Sequence, residues 1–396
     1  MRGLRRDFVS RLLRWPCLAT CLCLAVACGG GGDAPPPDAT APQPAGAGRL
    51  ERAASLNRIA RVDIAAATQA ADSRTRTLMP LYDVANHRIE YLTSDAQGRP
   101  IVASGLVSVP VKAAGAPSPV LSYQHGTTFV DAEAPSNHAT ADEAGVILAS
   151  LGYIVVAPDY VGYGVSKGAP HPYLLSAPSA AATVDLLVAA QTWRRQHAVA
   201  DNGQLFLTGY SEGGYATVAA QRALQASTTS VQPLAVVAGA GPYDVRLTLD
   251  TLLARVHVEL PSLAPVLDPG VLRLLSTADR NRLRDELMKR LRPTDADVAF
   301  DNTMLDLYLA DDTMAIAQRA SVHDWAPGAP LRLFHGRDDQ TVPFAASTAA
   351  LQAMRTRGAS DLSLTECTEV PSSHIGCVPQ FLVFVLSELA RHVRDL

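Results

Sequence analysis

The sequence predicts an α/β fold, a mostly parallel sheet flanked by helices, interrupted by one helical insertion. Three observations carry the prediction. Short apolar runs alternate with helix-length segments from residue 119 to 242 and again from 330 onward, the pattern of a parallel sheet with crossover helices. Between Pro242 and about Pro330 the alternation stops and helical patterns replace it. Hydrophobic residues make up 48% of the 396 and charged residues only 18%, which suits a large buried core. The formal net charge of −4 offers no basic footprint for a nucleic acid.

The first 28 residues have the composition of an export signal. Arg2, Arg5, Arg6, Arg11 and Arg14 form a charged start, followed by an apolar stretch from Cys17 to Cys28. That stretch is shorter than the roughly 20 residues needed to span a bilayer. Leu24-Ala-Val-Ala-Cys28 resembles a bacterial lipobox, in which Cys28 would become the lipidated first residue and tether the protein to a membrane. Ordinary cleavage near Ala27, with secretion, is the alternative. Residues 29–48 open with four glycines and hold Pro35, Pro36, Pro37, Pro42 and Pro44, so they read as a flexible spacer. Gly29 after the cysteine leans towards outer-membrane sorting by resemblance to known lipoproteins.

Residues 49–242 and 330–396 are assigned to the α/β core, with 243–329 as a helical cap. Residues 49–80, rich in Ala and Arg, read as helical or irregular. Asp83–Thr93 and Ile101–Val109 form two paired strands around a Gln97–Pro100 turn, an antiparallel edge. Strands follow at Pro119–Gln124, Tyr153–Ala157, Gln204–Thr208, Leu234–Gly239, Leu331–Phe334 and Leu362–Val370. Helices are predicted over 138–151, 177–198, 212–226, 344–356 and 378–394. The insertion carries three more, near 246–257, 277–292 and 302–319, with Ser276 or Thr277 as an N-cap. Such an insertion fits a cap over the crevice at the strand ends.

Two stretches match Gly-x-Ser-x-Gly, around Ser211 and around Ser166. The bare pattern arises by chance in about one chain in eight of this length, so context must decide. A nucleophile elbow needs a strand running into the turn and a helix leaving it. Leu205–Thr208 precedes Ser211 and an Ala-rich helix follows it. Ser166 is followed by Pro170-His-Pro172, which denies it an immediate helix and marks it as a loop serine.

A serine nucleophile needs a base, and the base needs an acid to fix its tautomer. His335-Gly-Arg-Asp-Asp339 follows one apolar strand and Pro371-Ser-Ser-His374 follows the next, giving the chain order Ser, acid, His. Asp339 is the preferred acid, Asp338 the alternative and Asp244 an outside candidate. His374 alone among the ten histidines follows the acid on a post-strand loop beside a glycine; His125, His257, His323, His335 and His392 suit structural or solvated roles. Cys367 and Cys377 are the only cysteines beyond Cys28, and an even pair in an exported chain reads as a disulfide around His374. An oxyanion hole requires a second backbone donor from another loop; Gln124-His-Gly-Thr-Thr128 stands where esterases carry it, giving Thr127 N–H and Glu212 N–H. Asp159 and Tyr160 are expected to stabilise the loop after Ala157, with Tyr163 free to line a pocket. There is no Cys/His metal spacing and no phosphate-cradling glycine loop, so neither a metal nor a cofactor is called for.

From about residue 80 to 394 the chain resembles the α/β-hydrolase superfamily, most closely the secretory-lipase and related bacterial esterase branch. Tyr-Ser-Glu-Gly-Gly at 210–214, Pro-Asp-Tyr-x-Gly-Tyr-Gly at 158–164 and Gly-x-x-Asp-x-x-Val-Pro at 336–343 carry the resemblance. It implies acyl-enzyme chemistry on a small-molecule or lipid ester, with no cofactor. A serine peptidase or acyltransferase of the same fold, or a surface lipoprotein that only binds, are the rival readings, because the fold hosts many chemistries.

Overall fold

The computed structural model describes residues 45–70, 78–227, 231–259 and 274–396. The signal, Cys28 and most of the spacer lie outside them. The elements run β1 (Leu50–Ile59), α1 (Arg61–Ala70), β2 (Val84–Ser94), β3 (Pro100–Pro110), β4 (Ser118–Gln124), α2 (Ala144–Ser150), β5 (Ile154–Pro158), α3 (Ser176–Gln196), β6 (Asp201–Tyr210), α4 (Glu212–Ala226) and β7 (Ala235–Gly239). Then follow α5 (Val245–Glu259), α6 (Thr277–Leu291), α7 (Thr303–Leu309), α8 (Thr313–Arg319), β8 (Leu331–His335), α9 (Phe344–Thr356), β9 (Leu362–Glu366) and α10 (Val378–Leu389).

One nine-stranded sheet has the order β1-β2-β3-β5-β4-β6-β7-β8-β9. The steps from β1 to β5 are antiparallel and those from β5 to β9 parallel. The parallel strands read as continuous apolar runs because both faces are covered. Their side chains alternate between two cores. Val120, Val156, Leu207, Val236 and Leu333 join Trp193 of α3 and Val218 of α4 on one face. Leu121, Val155, Phe206, Val237 and Phe334 join Val146 of α2 and Phe381 of α10 on the other. Period-two burial of this kind pins strand register, since a slip of one residue would exchange the faces.

Four departures from the sequence expectation have local causes. Residues 50–59 form a strand rather than a helix or irregular segment. Pairing of Ala53 with Ile89 and Ile59 with Val84 overrides the helix propensity of Ala and Arg. The helix expected over 138–151 is confined to Ala144–Ser150, because a polar turn precedes it in which Thr140 Oγ1 donates to Asp142 Oδ1 at 2.6 Å. The pattern at 302–319 is two helices, broken at Asp311 (φ +53°), with Asp312 capping α8 by accepting from Ala315 N at 3.0 Å. The last strand stops at Glu366, where the chain turns into the loop closed by Cys367, and α10 ends at Leu389. Ser276 caps α6 by accepting from Asp279 N.

The segment between β7 and β8 reaches the C-terminal ends of the parallel strands. Its Asp297 and Val298 N–H groups donate to Phe129 O, and its Ala299 O accepts from His171 N at 2.7 Å. On α5, Arg255 donates to Gln340 O and Asp339 O.

Candidate active site

Ser211 sits between β6 and α4 with φ +62° and ψ −124°, a conformation that L-residues hold only under constraint. The constraint is packing by glycines. A Cβ on Gly213 would stand 2.0 Å from Gln124 O, one on Gly209 2.4 Å from Gly213 O, and one on Gly214 2.3 Å from Gly239 O. No larger residue fits there, so the strand, the turn and the helix close on one another with the serine forced out at the apex.

His374 Nε2 lies 2.9 Å from Ser211 Oγ, and His374 Nδ1 lies 2.6 Å from Asp339 Oδ2. A carboxylate only accepts, so Nδ1 carries the proton and Nε2 is left to accept from the serine hydroxyl. Asp339 is buried and its other oxygen accepts from Thr341 N at 2.8 Å and Val342 N at 2.9 Å. Burial pushes its pKa up, but hydrogen bonds from His335 and His374 outweigh it and hold the carboxyl well below the usual carboxylate range. His335 Nε2 also faces Val342 O at 2.9 Å, a pure acceptor, so it donates to both, while Nδ1 accepts from Ser347 Oγ at 2.7 Å.

The loop bearing His374 is gripped from four directions. Asp338 Oδ2 accepts from Ser372 N and Ser372 Oγ, both at 2.9 Å, and those bonds lower its pKa. Tyr210 donates its hydroxyl to His374 O at 2.8 Å. Cys367 and Cys377 are joined by a disulfide. Gly336 lets the two loops touch, since a Cβ there would meet Ser372 O at 2.0 Å.

The turn after β4 lies against Ser211: a Cβ on Gly126 would stand 3.6 Å from Ser211 Cβ. Its backbone is held from the loop after β5, with Tyr160 donating to His125 O at 3.1 Å and Tyr163 to Thr128 O at 2.7 Å. Thr127 sits in that turn and its Oγ1 pairs with the Tyr173 hydroxyl at 3.3 Å. Tyr163 is fully buried, so it supports the turn rather than lining a pocket. Asp159 accepts from Ser104 Oγ and Ser136 Oγ and N, which ties the loop to β3.

The competing residues lie elsewhere. Ser166 Oγ is buried and donates to Tyr163 O. Asp244 caps α5 by accepting from Leu247 N and faces His323 at 3.5 Å. His392 follows α10, and the side chain of His257 lies outside the described residues. Sequence reasoning missed the role of His171, whose Nε2 stands 2.6 Å from Glu212 Oε1 with both side chains buried. Pro170 and Pro172 drew attention only as helix breakers. No local pattern links His171 to a residue 41 positions away.

A family model described as serine aminopeptidase, S33, matches residues 137–366. The chain belongs to this S33 family of α/β-hydrolases. The matched span holds Ser211 and Asp339 and ends before His374. No curated protein sequence matches the chain. Among solved structures, a protein from Legionella pneumophila assigned as a hydrolase superposes with a TM-score of 0.70 at 23% identity, over 87% of this chain and 98% of that one. The rice cell wall degrading esterase LipA from Xanthomonas oryzae gives 0.68 at 25% identity, over 88% and 100%. Candida antarctica lipase A in its closed state gives 0.53 at 18% identity, over 84% and 78%. These likenesses agree with the sheet order in placing the chain in the α/β-hydrolase fold.

Proposed function

We propose that the chain is a serine hydrolase that cleaves carboxylic esters, with Ser211 as nucleophile, His374 as base and Asp339 as acid. The observation that carries the reading is the hydrogen-bonded series Ser211 Oγ to His374 Nε2 to Asp339 Oδ2 at the apex of the elbow. Ser211 Oγ attacks the ester carbonyl as His374 takes its proton, and Asp339 stabilises the imidazolium. The carbonyl oxygen becomes an oxyanion facing the N–H groups of Thr127 and Glu212, from the turn beside Ser211 and the first residue of α4. His374 then protonates the leaving alcohol, and a water attacks the acyl-enzyme to release the acid and restore Ser211.

The esterase and lipase names of the structural relatives support an ester substrate entering beneath the residues 243–329. The family description favours a second reading, release of N-terminal residues from peptides, which would demand a site for a charged amino terminus. Hydrolysis of p-nitrophenyl esters from acetate to palmitate, set against aminoacyl p-nitroanilides, separates the two. We expect ester turnover that vanishes in Ser211→Ala. Anilide turnover alone would shift the assignment to a peptidase, and ester turnover surviving in Ser211→Ala would overturn the site.

We further propose that the protein is exported and held to a membrane, the outer membrane by its Gly29, through lipidated Cys28. Support comes from the lipobox-like sequence and the Gly/Pro spacer. Labelled palmitate should be incorporated by the wild type and not by Cys28→Ala. Incorporation by neither would leave ordinary cleavage near Ala27 and secretion.

A further inference from the structure

The residue after the nucleophile is a glutamate whose carboxyl is buried directly behind the oxyanion turn. A negative charge there would oppose the negative charge that develops on the substrate oxygen, and because the carboxyl is buried water screens that opposition poorly. The surroundings of Glu212 show how the charge is removed. His171 Nδ1 lies 2.9 Å from Val161 O. A carbonyl cannot donate, so Nδ1 carries a proton. The other nitrogen, Nε2, faces Glu212 Oε1 at 2.6 Å. A neutral ring with its proton on Nδ1 offers only a lone pair at Nε2, and a carboxylate offers only lone pairs in return. The contact therefore requires one further proton between the two atoms.

A second observation locates that proton. Glu212 Oε2 is buried and has no hydrogen-bond partner among the described residues. Three neighbouring tyrosines donate their hydroxyl protons elsewhere, Tyr160 to His125 O, Tyr163 to Thr128 O and Tyr215 to Ala320 O, while the Tyr173 hydroxyl accepts from Thr127 Oγ1. An ionised carboxylate with one oxygen buried and unpaired is far more costly than the carbonyl oxygen of a neutral acid.

We propose that Glu212 is a neutral carboxylic acid whose Oε1–H donates to His171 Nε2, and that this pair is a positioning device for the oxyanion hole. It fixes the first residue of α4, whose N–H meets the oxyanion, without placing a charge beside it. His171 also carries the link outward: its backbone N donates to Ala299 O and its backbone O accepts from Asp301 N at 2.8 Å, so residues 299–301 and the elbow are joined through one residue. The inference rests on the ester-hydrolase reading for its kinetic consequence, and on geometry alone for the proton.

Four variants of the full chain test it: Glu212→Gln, Glu212→Ala, His171→Ala and the double variant His171→Ala/Glu212→Gln. A glutamine is uncharged and its amide can donate to His171 Nε2, so Glu212→Gln should lower kcat by no more than about fivefold while Glu212→Ala lowers it about fiftyfold, both with little change in KM. Removing His171 deprives the acid of its acceptor and opens a space of ring size that admits water, and a hydrated carboxyl there can ionise beside the oxyanion. His171→Ala should therefore lose about a hundredfold in kcat, and adding Glu212→Gln should recover about tenfold. A merely structural contact predicts the opposite order, with the double variant at least as slow as the single. A 1H spectrum gives a readout independent of turnover: a low-field proton of the pair should persist in Ser211→Ala and disappear in Glu212→Gln. Absence of that signal in the wild type, or a double variant no faster than His171→Ala, overturns the proposal. Failure of the ester-hydrolase reading would show instead as no ester turnover and no fluorophosphonate labelling of Ser211 in the wild type, with the proton signal still deciding the pair.

Discussion

Asp339 and Asp338 are neighbours in sequence with separate attachments. Asp339 points its Oδ2 at the imidazole of His374, whereas Asp338 accepts from the backbone and hydroxyl of Ser372, two residues before that histidine. The first attachment sets where the proton sits on the ring; the second sets where the ring sits. In Asp339→Asn the amide would donate to Nδ1 and move the ring proton to Nε2, which could then no longer accept from Ser211. We expect kcat to fall about a thousand- to ten-thousandfold with KM nearly unchanged, measured on p-nitrophenyl butyrate. A loss below tenfold would mean that the orienting acid is another residue, with Asp338 first in line. The same substitution carries a pH signature in stability. Folding holds the Asp339 carboxyl below its ordinary value of 3.8, so its stabilising contribution is complete above that value and fades as pH falls through the lower folded value. The stability difference between wild type and Asp339→Asn, read from urea unfolding, should therefore be larger at pH 7 than at pH 2.

The elements that deliver these side chains differ in how plainly they could be read. The elbow helix begins and ends where its pattern says, at Glu212 and Ala226, because alanines, flanking glycines and a preceding apolar strand all favour the same start. The loop of His374 was legible as a site through its position after the acid and through the two cysteines that bracket it. The grip of Tyr210 and Asp338 on that loop was not, since both contacts span long separations in the chain. Nor could the edge strand Leu50–Ile59 be found, because most of its residues are exposed and it shows no apolar alternation. The disulfide spans ten residues in sequence. Replacing Cys367 and Cys377 with serine should lower unfolding stability by about 2.5–3 kcal/mol in the chain-entropy account. It should also lower kcat, because His374 lies inside the closed loop; a variant that loses stability with kcat intact would show that the other contacts suffice to place the ring.

At the scale of the whole molecule, a single sheet separates two apolar layers and gathers its polar side chains at the C-terminal ends of the parallel strands. Buried acids also lie away from that edge, Asp185 and Glu388 among them. Asp185 of α3 is buried and is met by Thr93 Oγ1 at 2.7 Å; burial pushes its pKa up to about 7, against the opposing effect of that hydrogen bond. Because folding here raises proton affinity, the penalty is absent below the ordinary value of 3.8, grows as pH rises and is complete above about 7. Asp185→Asn, which keeps an acceptor for Thr93, should therefore stabilise the fold by about 2–4 kcal/mol at pH 8 and by little at pH 4. No gain at pH 8 would show that the carboxyl is compensated in a way burial alone does not reveal. The outer strand has a consequence of another kind. The chain ahead of β1 meets the fold at Gly48 and Arg49, where Gly48 N donates to Leu92 O at 2.9 Å and Arg49 O accepts from Leu92 N at 3.0 Å, beside the Leu50–Tyr91 pair. A force applied at that end and directed across the strands would open the ladder one rung at a time, the geometry of a zipper rather than of a lap joint. Each rung yields separately, so β1 would peel away at low load, while β4, β6 and β8, the strands that lead into the oxyanion turn, the elbow and the acid loop, stay behind several intact ladders. If the proposed lipid anchor at Cys28 holds, the first strand is the part that would yield to a pull from it, and the Ser211, His374 and Asp339 constellation would be insulated from that load.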